Sequence, residues 1–530
     1  MDSHQILSSL SFGKVDAETD DKLSNCFIGT DLLKQALQPH HTLLLGGKGS
    51  GKSAIFRLLS QDTFRFANLL QNRFEEIYGI PAYGINSDEY LTYAEIHEIN
   101  PNSIDDFKYL WQLYFGLKAA TILANCPRMR SRISKSNSES LKEYYKSLLN
   151  ILEDVGLYRS GEYLSKIQKK VKELLTFSTP ATVTSIADKG KILSTSYSGK
   201  SALNIISLID LVDKILKETN CLAWILIDQI DLLYLDNLDR RQRAITALVQ
   251  LLIEYSSRFA NINLKVFLRT DIYKQLQIVN KSHLVSLTVE LKWTKNLLIK
   301  MLVVRAVHDR AVRMYCEEVL QENLDVNRVI SATDELILRI FYTIFELNMG
   351  SKFRNVSPAH SWITKHIVDG LGMLYPREMI HLGNQAVQKQ RELNKNTKMK
   401  NPNIYSGNGK NFLVSSRAIK QAFSDVSSYR CDTYLYAEFP HLSKHFDRIR
   451  GQDRDKFNRD ELVDMFKGLN PNGVDSIRMI FETGLFKTKD HKNADACRTF
   501  TIPYLYKSGL GIVARRKFHD RLITRETLLT

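Results

Sequence analysis

Eight residues near the amino end constrain this chain more than any other segment does. The run Gly46–Ser53 reads GGKGSGKS and fits the pattern G-x-x-x-x-G-K-[ST]. It follows the short apolar run Thr42–Leu45 and precedes Ala54–Leu59, in which apolar residues recur at helical spacing. The sequence therefore predicts a buried strand, a glycine-rich turn and a helix in direct succession, which is the context that this pattern needs.

The residue types in this turn are those of a phosphate-binding loop. Its glycines allow backbone conformations that are closed to other residues, and its N–H groups can point inward at the positive end of the following helix. We expect the Lys52 ammonium at the β- and γ-phosphates of a nucleotide and the Ser53 hydroxyl on Mg²⁺. The alternative is a turn that only joins a strand to a helix. The predicted cofactor-binding residues are Gly46, Gly47, Lys48, Gly49, Ser50, Gly51, Lys52 and Ser53.

A second apolar run predicts the metal side of the same site. Leu222–Ile227 is uninterrupted by polar residues and ends in Asp228. Ligand sites in open α/β sheets lie at the carboxyl ends of the strands, so we expect Asp228 near the glycine-rich loop. Asp228 and Ser53 are therefore the predicted Mg²⁺ residues. The alternative is that Asp228 caps the next helix.

The residue that polarises the attacking water is less well defined. Many ATPases place a glutamate directly after the metal aspartate, whereas this chain has Gln229 there. An amide can orient water but cannot accept a proton, and Asp231 is the nearest ionisable alternative. Slow hydrolysis is therefore expected, which suits a switch better than a motor.

Polar residues also follow a third strand, predicted over 263–268. Arg269 and Thr270 come directly after it, where they could reach a γ-phosphate by charge and by hydrogen bond. Helix capping explains Thr270 and Asp271 equally well, because both residue types cap helices readily. A sensor role for Arg269 and Thr270 is thus one of two open interpretations.

The segments GGKGSGKS, WILIDQID and KVFLRTD together resemble bacterial P-loop ATPases of the AAA+-related group, near the STAND and KAP NTPases. The run Tyr375-Pro376-Arg377-Glu378 is similar to the "PR-acidic" start of a lid helix in that group, and the resemblance implies that Arg377 reads the nucleotide. It also implies ATP and Mg²⁺ as cofactors, ATPase activity, a homo-oligomer and a partner protein encoded nearby. Relatives of this kind often serve in bacterial anti-phage defence.

The alternation of strands and helices predicts an α/β fold with a parallel sheet and helices on both faces. We expect a P-loop ATPase core over 1–293 with a helical insertion at about 127–200, and a helical lid over 294–390. A polar stretch, 389–410, then precedes a smaller α+β domain at 411–530, whose helix–helix–wing order resembles a winged helix. The predicted elements of the core are helices 21–37, 105–123, 202–218 and 239–257, and strands that include 83–86, 222–228, 263–268 and 284–291.

The net charge of +15 is placed unevenly. From residue 389 onward there are 27 lysines and arginines against 16 aspartates and glutamates, an excess of 11 positive charges. Nucleic acid is an obvious partner for such a segment, although charge alone is a generic signal. A DNA or RNA contact by the carboxyl-terminal part is therefore an open alternative.

Composition indicates a cytoplasmic protein. Six scattered cysteines form no C-x-x-C pair, as expected of reduced thiols, and the start lacks a basic-then-apolar signal. No apolar run approaches the length that spans a bilayer, so no membrane contact is expected. Two functions remain: an ATP-dependent switch that oligomerises and activates a partner, and a DNA-binding ATPase of the loader or initiator kind with a winged-helix reader.

Overall fold

The computed structural model describes residues 3–28, 31–61, 74–83, 96, 99–158, 166–167, 169, 171, 205–234, 237–278, 281–349, 357–396, 412–489 and 494–513. The chain divides into two compact units. The first is Asp16–Lys292, and the second combines Met1–Val15 with Trp293–Thr530. The amino-terminal residues thus belong with the carboxyl-terminal half, which the sequence had not indicated.

The first unit is built on a parallel sheet, as the α/β pattern predicted. Its described strands are β1 (Leu43–Gly46), β2 (Glu76–Tyr83), β3 (Cys221–Ile227), β4 (Ile262–Arg269) and β5 (Thr288–Glu290). They lie in the order β2-β3-β4-β1-β5, and every neighbouring pair is parallel. The carboxyl ends of β1, β3 and β4 therefore meet at one edge of the sheet.

Strand β3 shows why its sequence is apolar throughout. Side chains alternate between the two faces of a strand, and both faces of this sheet are covered. Cys221, Ala223, Ile225 and Ile227 pack into one apolar cluster, whereas Leu222, Trp224 and Leu226 pack into the cluster on the other face. All seven residues are buried, so no position in the strand can be polar without a partner.

Helices cover both faces of this sheet. The described helices are α1 (Asp31–Leu37), α2 (Lys52–Gln61), α3 (Ile104–Asn125), α4 (Pro127–Lys135), α5 (Glu139–Asp154), α6 (Ile205–Glu218), α7 (Leu238–Arg258) and α8 (Thr270–Gln275). Helices α1 and α2 pack on the Trp224 face, and α3, α5, α6 and α7 pack on the opposite face. Helices α4 and α5 lie in the predicted insertion, and its later residues 172–200 lie outside the described residues.

Most predicted elements of this unit are confirmed within a few residues, but the first helix is wrong. Residues 15–26 form turns, and the helix begins only at Asp31. The Arg57 guanidinium donates to the backbone oxygens of Ala17 and Asp20, and this tertiary contact holds the turns. The helical periodicity of the sequence does not decide the structure here, because the turn carbonyls accept hydrogen bonds from a charged donor.

Two strand predictions need adjustment as well. Of the strand predicted at 83–86, Tyr83 is the last residue of the longer strand β2. Residues 84–86 lie outside the described residues. The predicted strand at 284–291 is extended only over Thr288–Glu290. A 3₁₀ turn, Lys281–Leu284, occupies the start of that range.

Strand β4 contains a fully buried lysine, Lys265. The Lys265 ammonium donates to the backbone oxygens of Ala36 at 2.9 Å, Gln38 at 2.6 Å and His41 at 2.6 Å. It also lies 5.0 Å from the centre of the Trp224 ring. Burial lowers the pKa of Lys265, because the interior solvates an ammonium poorly, while the three carbonyls oppose that effect. Lys265 thus caps the carboxyl end of α1.

Replacing Lys265 with methionine should lower the free energy of unfolding by about 3 kcal/mol, because three buried carbonyls lose their donor. Chemical denaturation of the two proteins measures this difference. Lys274→Met changes an exposed lysine of α8 and should stay within about 0.5 kcal/mol of the parent. Equal stability of the two variants would show that Lys265 contributes only its aliphatic stem.

The second unit is mainly helical and includes the amino-terminal helix Ser3–Ser9. Its other described helices are α9 (Lys295–Val307), α10 (Arg310–Leu320), α11 (Val326–Ile330), α12 (Asp334–Ile344), α13 (Ala359–His366), α14 (Pro376–Asn396), α15 (Ser416–Arg430), α16 (Ser443–Ile449), α17 (Arg459–Met465), α18 (Gly473–Glu482) and α19 (Tyr504–Lys507). The amino-terminal segment is held by side chains of α9 and α14. Arg305 donates to the Phe12 oxygen at 2.8 Å, and Asn384 donates to the Gly13 oxygen at 2.8 Å.

The carboxyl-terminal part contains a small antiparallel ribbon of β6 (Lys456–Asn458) and β7 (Thr499–Thr501). Phe457 and Phe500 face each other across it and are buried. Strand β7 ends at Thr501, because Pro503 cannot extend the ladder and Tyr504 begins a helix. The winged-helix resemblance stays a prediction.

A buried ion pair joins the helices on either side of the polar stretch 389–410. The Arg430 guanidinium of α15 lies 2.7 Å from the Glu378 carboxylate of α14, and both side chains are 4% exposed. Arg430 also stacks over the Tyr434 ring at 3.6 Å. The helix that was assigned to the lid and the first helix of the predicted carboxyl-terminal domain therefore pack on each other. Residues 397–411 lie outside the described residues.

The loop before α14 is organised by a buried carboxyl group. Asp369 accepts hydrogen bonds from the backbone N–H groups of Leu371 at 3.0 Å and Met373 at 2.8 Å, and from the Tyr375 hydroxyl at 3.2 Å. Burial raises the pKa of Asp369 to about 6, although these bonds and the Arg430 charge oppose the shift. The folded state therefore retains a proton that the unfolded chain has already lost.

The free energy of unfolding should fall as pH rises from about 4 to about 6, by about 3 kcal/mol from this group, because the folded state binds more protons in that window. Asp369→Asn keeps the acceptor oxygen and should remove this part of the slope. Denaturation of both proteins at several pH values measures the difference. The exposed Asp432→Asn should leave the slope unchanged, and a parallel pair of curves for parent and Asp369→Asn would contradict the prediction.

No helix in the described part of the chain is both long and apolar enough to cross a bilayer.

Candidate functional site

The glycine-rich run forms a turn between β1 and α2, as the sequence predicted. Gly49 and Gly51 adopt φ angles of 88° and 96°, which residues with a Cβ rarely take. The Ser50 N–H donates to the Gly47 oxygen at 3.2 Å, and the Ile55 N–H to the Gly51 oxygen at 3.1 Å. The turn is thus closed on itself and leads directly into the first turn of α2.

Gly46 is required for a different reason, which is space. A Cβ placed on Gly46 would lie 2.3 Å from the Ser50 Oγ and 3.1 Å from the Ser50 Cβ. Ser50 is itself buried. The strand end and the turn therefore pack too closely for any side chain at Gly46.

Lys52 begins α2 and points back over the turn. Its Nζ donates to the Gly46 oxygen at 2.9 Å and to the Gly47 oxygen at 3.0 Å. Burial lowers the pKa of Lys52, whereas the carboxylates of Asp228 and Asp231 oppose that shift. An anion placed in the turn would be a stronger acceptor for this ammonium than two neutral carbonyls.

Asp228 reaches the same turn from β3. The Ser53 hydroxyl donates to the Asp228 Oδ2 at 2.7 Å, although the two residues follow different strands with β4 between them. Burial raises the pKa of Asp228 to about 6, and the Ser53 hydrogen bond and the Lys52 charge oppose this rise. The next 3₁₀ turn has Gln229 at its N-cap, so the Asp228 side chain does not serve as the expected alternative cap.

Gln229 has an unusual backbone. Its φ of 58° and ψ of 22° place it in the left-handed region, which costs a non-glycine residue about 1 kcal/mol or more. This conformation turns the chain sharply after Asp228 and starts the 3₁₀ turn Ile230–Leu232. Asp231 lies in that turn, so Gln229 and Asp231 both follow Asp228 at the strand end.

Charged groups cluster where β4 ends. Arg269 donates through Nε and Nη2 to the two carboxylate oxygens of Asp271, at 3.1 Å and 2.7 Å. Its Nη1 lies 3.9 Å from the Asp231 Oδ2. On α7, Arg241 donates to the Asp231 backbone oxygen at 3.5 Å. Burial lowers the pKa of Arg241, and Asp231 opposes that shift.

Thr270 follows Arg269 and begins α8. Arg269 occupies the N-cap of α8 without a side-chain capping bond. The Thr270 Oγ1 is buried and has no hydrogen-bond partner within the described part of the chain. A side-chain cap by Thr270 is thus not found.

Arg377, the other predicted nucleotide contact, is in the second unit. It lies in the first turn of α14 and is half-buried. Its neighbour Glu378 is the buried partner of Arg430. Reading of a nucleotide by Arg377 stays a prediction.

Sequence reasoning missed two members of the cluster. Asp271 was considered only as a helix cap, and Arg241 lies in a charged stretch at the start of α7 that reads as an ordinary solvated helix end. Periodicity could have placed Arg241 on the sheet side of α7, but not beside Asp231.

The donor set suits a small divalent cation. Mg²⁺ prefers oxygen ligands and is commonly held by one or two protein groups together with phosphates and water. Ser53 and Asp228 offer a hydroxyl and a carboxylate whose oxygens are 2.7 Å apart. The described residues contain no group of three or more His, Cys, Asp or Glu that could hold a metal alone. A metal here would therefore need further ligands, such as water or phosphate oxygens.

A comparison with models of known families finds no match for this chain, and neither does a search of curated proteins. The functional argument rests on the residues and distances given above.

Gly46→Ala should destabilise the first unit by about 1–3 kcal/mol, because the added methyl overlaps the buried Ser50 side chain. Ser50→Gly removes both close atoms and should restore part of the loss in the double variant. Gly51→Ala is the matched comparison. There the cost is backbone strain alone, so Ser50→Gly should not restore it. Denaturation curves of the parent, the three single variants and the two double variants measure these couplings, and additive effects of Gly46→Ala and Ser50→Gly would contradict the packing.

Proposed function

We propose that this chain is an ATP-binding switch of the P-loop NTPase type, related to AAA+ proteins, that hydrolyses ATP slowly. One observation carries the proposal: the Ser53 hydroxyl and the Asp228 carboxylate meet at 2.7 Å beside a glycine turn that Lys52 closes. The Lys52 and Ser53 side chains, which follow β1, and the Asp228 carboxylate, which follows β3, converge there. A turn that only joined a strand to a helix would not require that convergence.

Each residue of the site has a role in this proposal. The N–H groups of Gly46–Ser53 would surround the phosphates, and Lys52 would exchange its two carbonyl acceptors for phosphate oxygens. Ser53 and Asp228 would hold Mg²⁺, which supplies charge neutralisation at the β- and γ-phosphates. Thr270 and Arg269 would contact the γ-phosphate side of the site.

Slow hydrolysis follows from the residues after β3. Gln229 can orient a water molecule, and Asp231 would be the base. The Arg269 guanidinium lies 3.9 Å from the Asp231 carboxylate, so Asp231 already has an ion-pair partner. Such a site favours a long-lived ATP state, which suits a switch that assembles into oligomers and activates a partner protein. A role in anti-phage defence is supported only by the resemblance of the motifs.

A DNA-binding ATPase is the alternative, and the charge excess of the carboxyl-terminal part supports it. Six of the eleven excess positive charges lie in 397–411 and 514–530, outside the described residues. Many basic side chains in the described part are paired with carboxylates. Examples are Arg430 with Glu378, Arg454 with Glu461, Arg478 with Asp495, and Lys507 with Asp455. This pairing favours the switch.

The Lys52→Ala variant tests the proposal. We expect it to lose ATP binding by at least about 100-fold, because the phosphates lose the Lys52 ammonium that donates into the turn, while the fold survives. Calorimetric titration with Mg²⁺-ATP measures the affinity, and light scattering with and without ATP measures assembly. The parent should assemble with ATP, and the variant should not.

Lys217→Ala is the matched control, since Lys217 is an exposed lysine of α6 in the same unit. It should bind ATP as the parent does. Unchanged affinity of Lys52→Ala would refute the assigned site. If ATP turnover instead rises strongly with DNA and falls steeply with salt, the DNA-binding alternative replaces the switch.

A further inference from the structure

Arg269 is placed beside the glycine-rich turn by the register of the sheet. Strands β1 and β4 are neighbours, and Gly46 and Arg269 are paired residues in their ladder. The first residue of the turn and the last residue of β4 are therefore adjacent. An arginine side chain starting there is within reach of any group bound in the turn, provided that its orientation is held.

Asp271 holds that orientation. A guanidinium has a planar fork of donors. The two Asp271 carboxylate oxygens accept hydrogen bonds from Arg269 Nε at 3.1 Å and Nη2 at 2.7 Å. The two residues are separated by one position at the start of α8, so the pairing fixes the arginine against its own backbone. The Arg269 and Asp271 side chains are 11% and 24% exposed. Water therefore competes little with the pairing.

The third guanidinium nitrogen of Arg269, Nη1, lies on the side of Asp231. This nitrogen lies 3.9 Å from the Asp231 carboxylate, within ion-pair range and beyond hydrogen-bond range. The charges of Arg269 and Asp271 both perturb the pKa of Lys52. Their effects are smaller than those of burial and of the Asp228 and Asp231 carboxylates. If Arg269 lost Asp271, it would be drawn onto Asp231 and away from this position.

We propose that Asp271 is a positioning residue that holds Arg269 toward the γ-phosphate side of the turn and so sets the preference of the site for ATP over ADP. The inference rests on the proposed function and deepens it. The extra phosphate of ATP is the only difference between the two ligands, so a correctly oriented guanidinium nearby discriminates between them. A group that only stabilised the fold would affect both ligands equally.

Asp271→Asn tests this assignment. The amide keeps the shape but can accept from only one of its two ends, so the fork loses its second bond. We expect the ratio of the ADP and ATP dissociation constants, measured by calorimetry with Mg²⁺, to fall roughly tenfold with ADP affinity nearly unchanged. Asp239→Asn, at an exposed acid of α7, should leave the ratio as it is.

A double-mutant cycle with Arg269→Lys separates positioning from direct effects of Asp271. Arg269→Lys keeps the charge and removes the fork, and it should lower the ratio similarly. Adding Asp271→Asn to Arg269→Lys should then change the ratio little, because Asp271 acts through Arg269. Should Asp271→Asn fail to fold, the Arg269→Lys ratio carries the test.

The outcomes are distinguishable. An unchanged ratio in Asp271→Asn, or fully additive effects in the cycle, refutes the positioning role while ATP binding by the parent leaves the proposed function standing. Failure of the parent to bind either nucleotide overturns both. A ratio that rises in Asp271→Asn also refutes the proposal, because Asp271 would then be competing with the phosphate for Arg269.

Discussion

The contact between Ser53 and Asp228 is the constraint on which the rest of the first unit depends. It joins the start of α2 to the end of β3 across the intervening strand β4. Parallel strands bring their carboxyl ends to one edge, and this places two residues 175 positions apart within hydrogen-bond distance. The described helices of the insertion between β2 and β3 pack into the apolar cluster on the face opposite Trp224.

Keeping charged groups in this place costs stability. Burial raises the pKa of Asp228 to about 6 and lowers the pKa of Lys52, so each group is less stable in its charged form than it would be in water. The Ser53 hydroxyl, the Gln229 backbone and two carbonyls compensate these opposite charges only in part. In the proposed function, a metal and a polyphosphate would supply the missing partners. The cost of burying these charges would then be offset when the ligand binds.

The second unit uses buried charge for a different purpose. Arg430 and Glu378 bind α14 to α15, and Asp369 organises the loop before α14 through three hydrogen bonds. These groups hold the helix that carries Arg377. The acidic residue of the Tyr375–Glu378 motif therefore has a packing role in this chain, alongside whatever its arginine does.

The sequence alone determined the succession of strand, glycine turn and helix at Gly46–Ser53, the buried strand ending at Asp228, and the α/β class, because these follow from local glycine spacing and unbroken apolar runs. It did not determine that residues 15–26 are turns, since the Arg57 contacts that hold them come from a distant helix. Only the tertiary structure decided that Asp271 holds Arg269, that Arg241 lies at Asp231, and that the first residues pack with the last half. Those facts depend on strand order and side-chain reach, which no local pattern encodes.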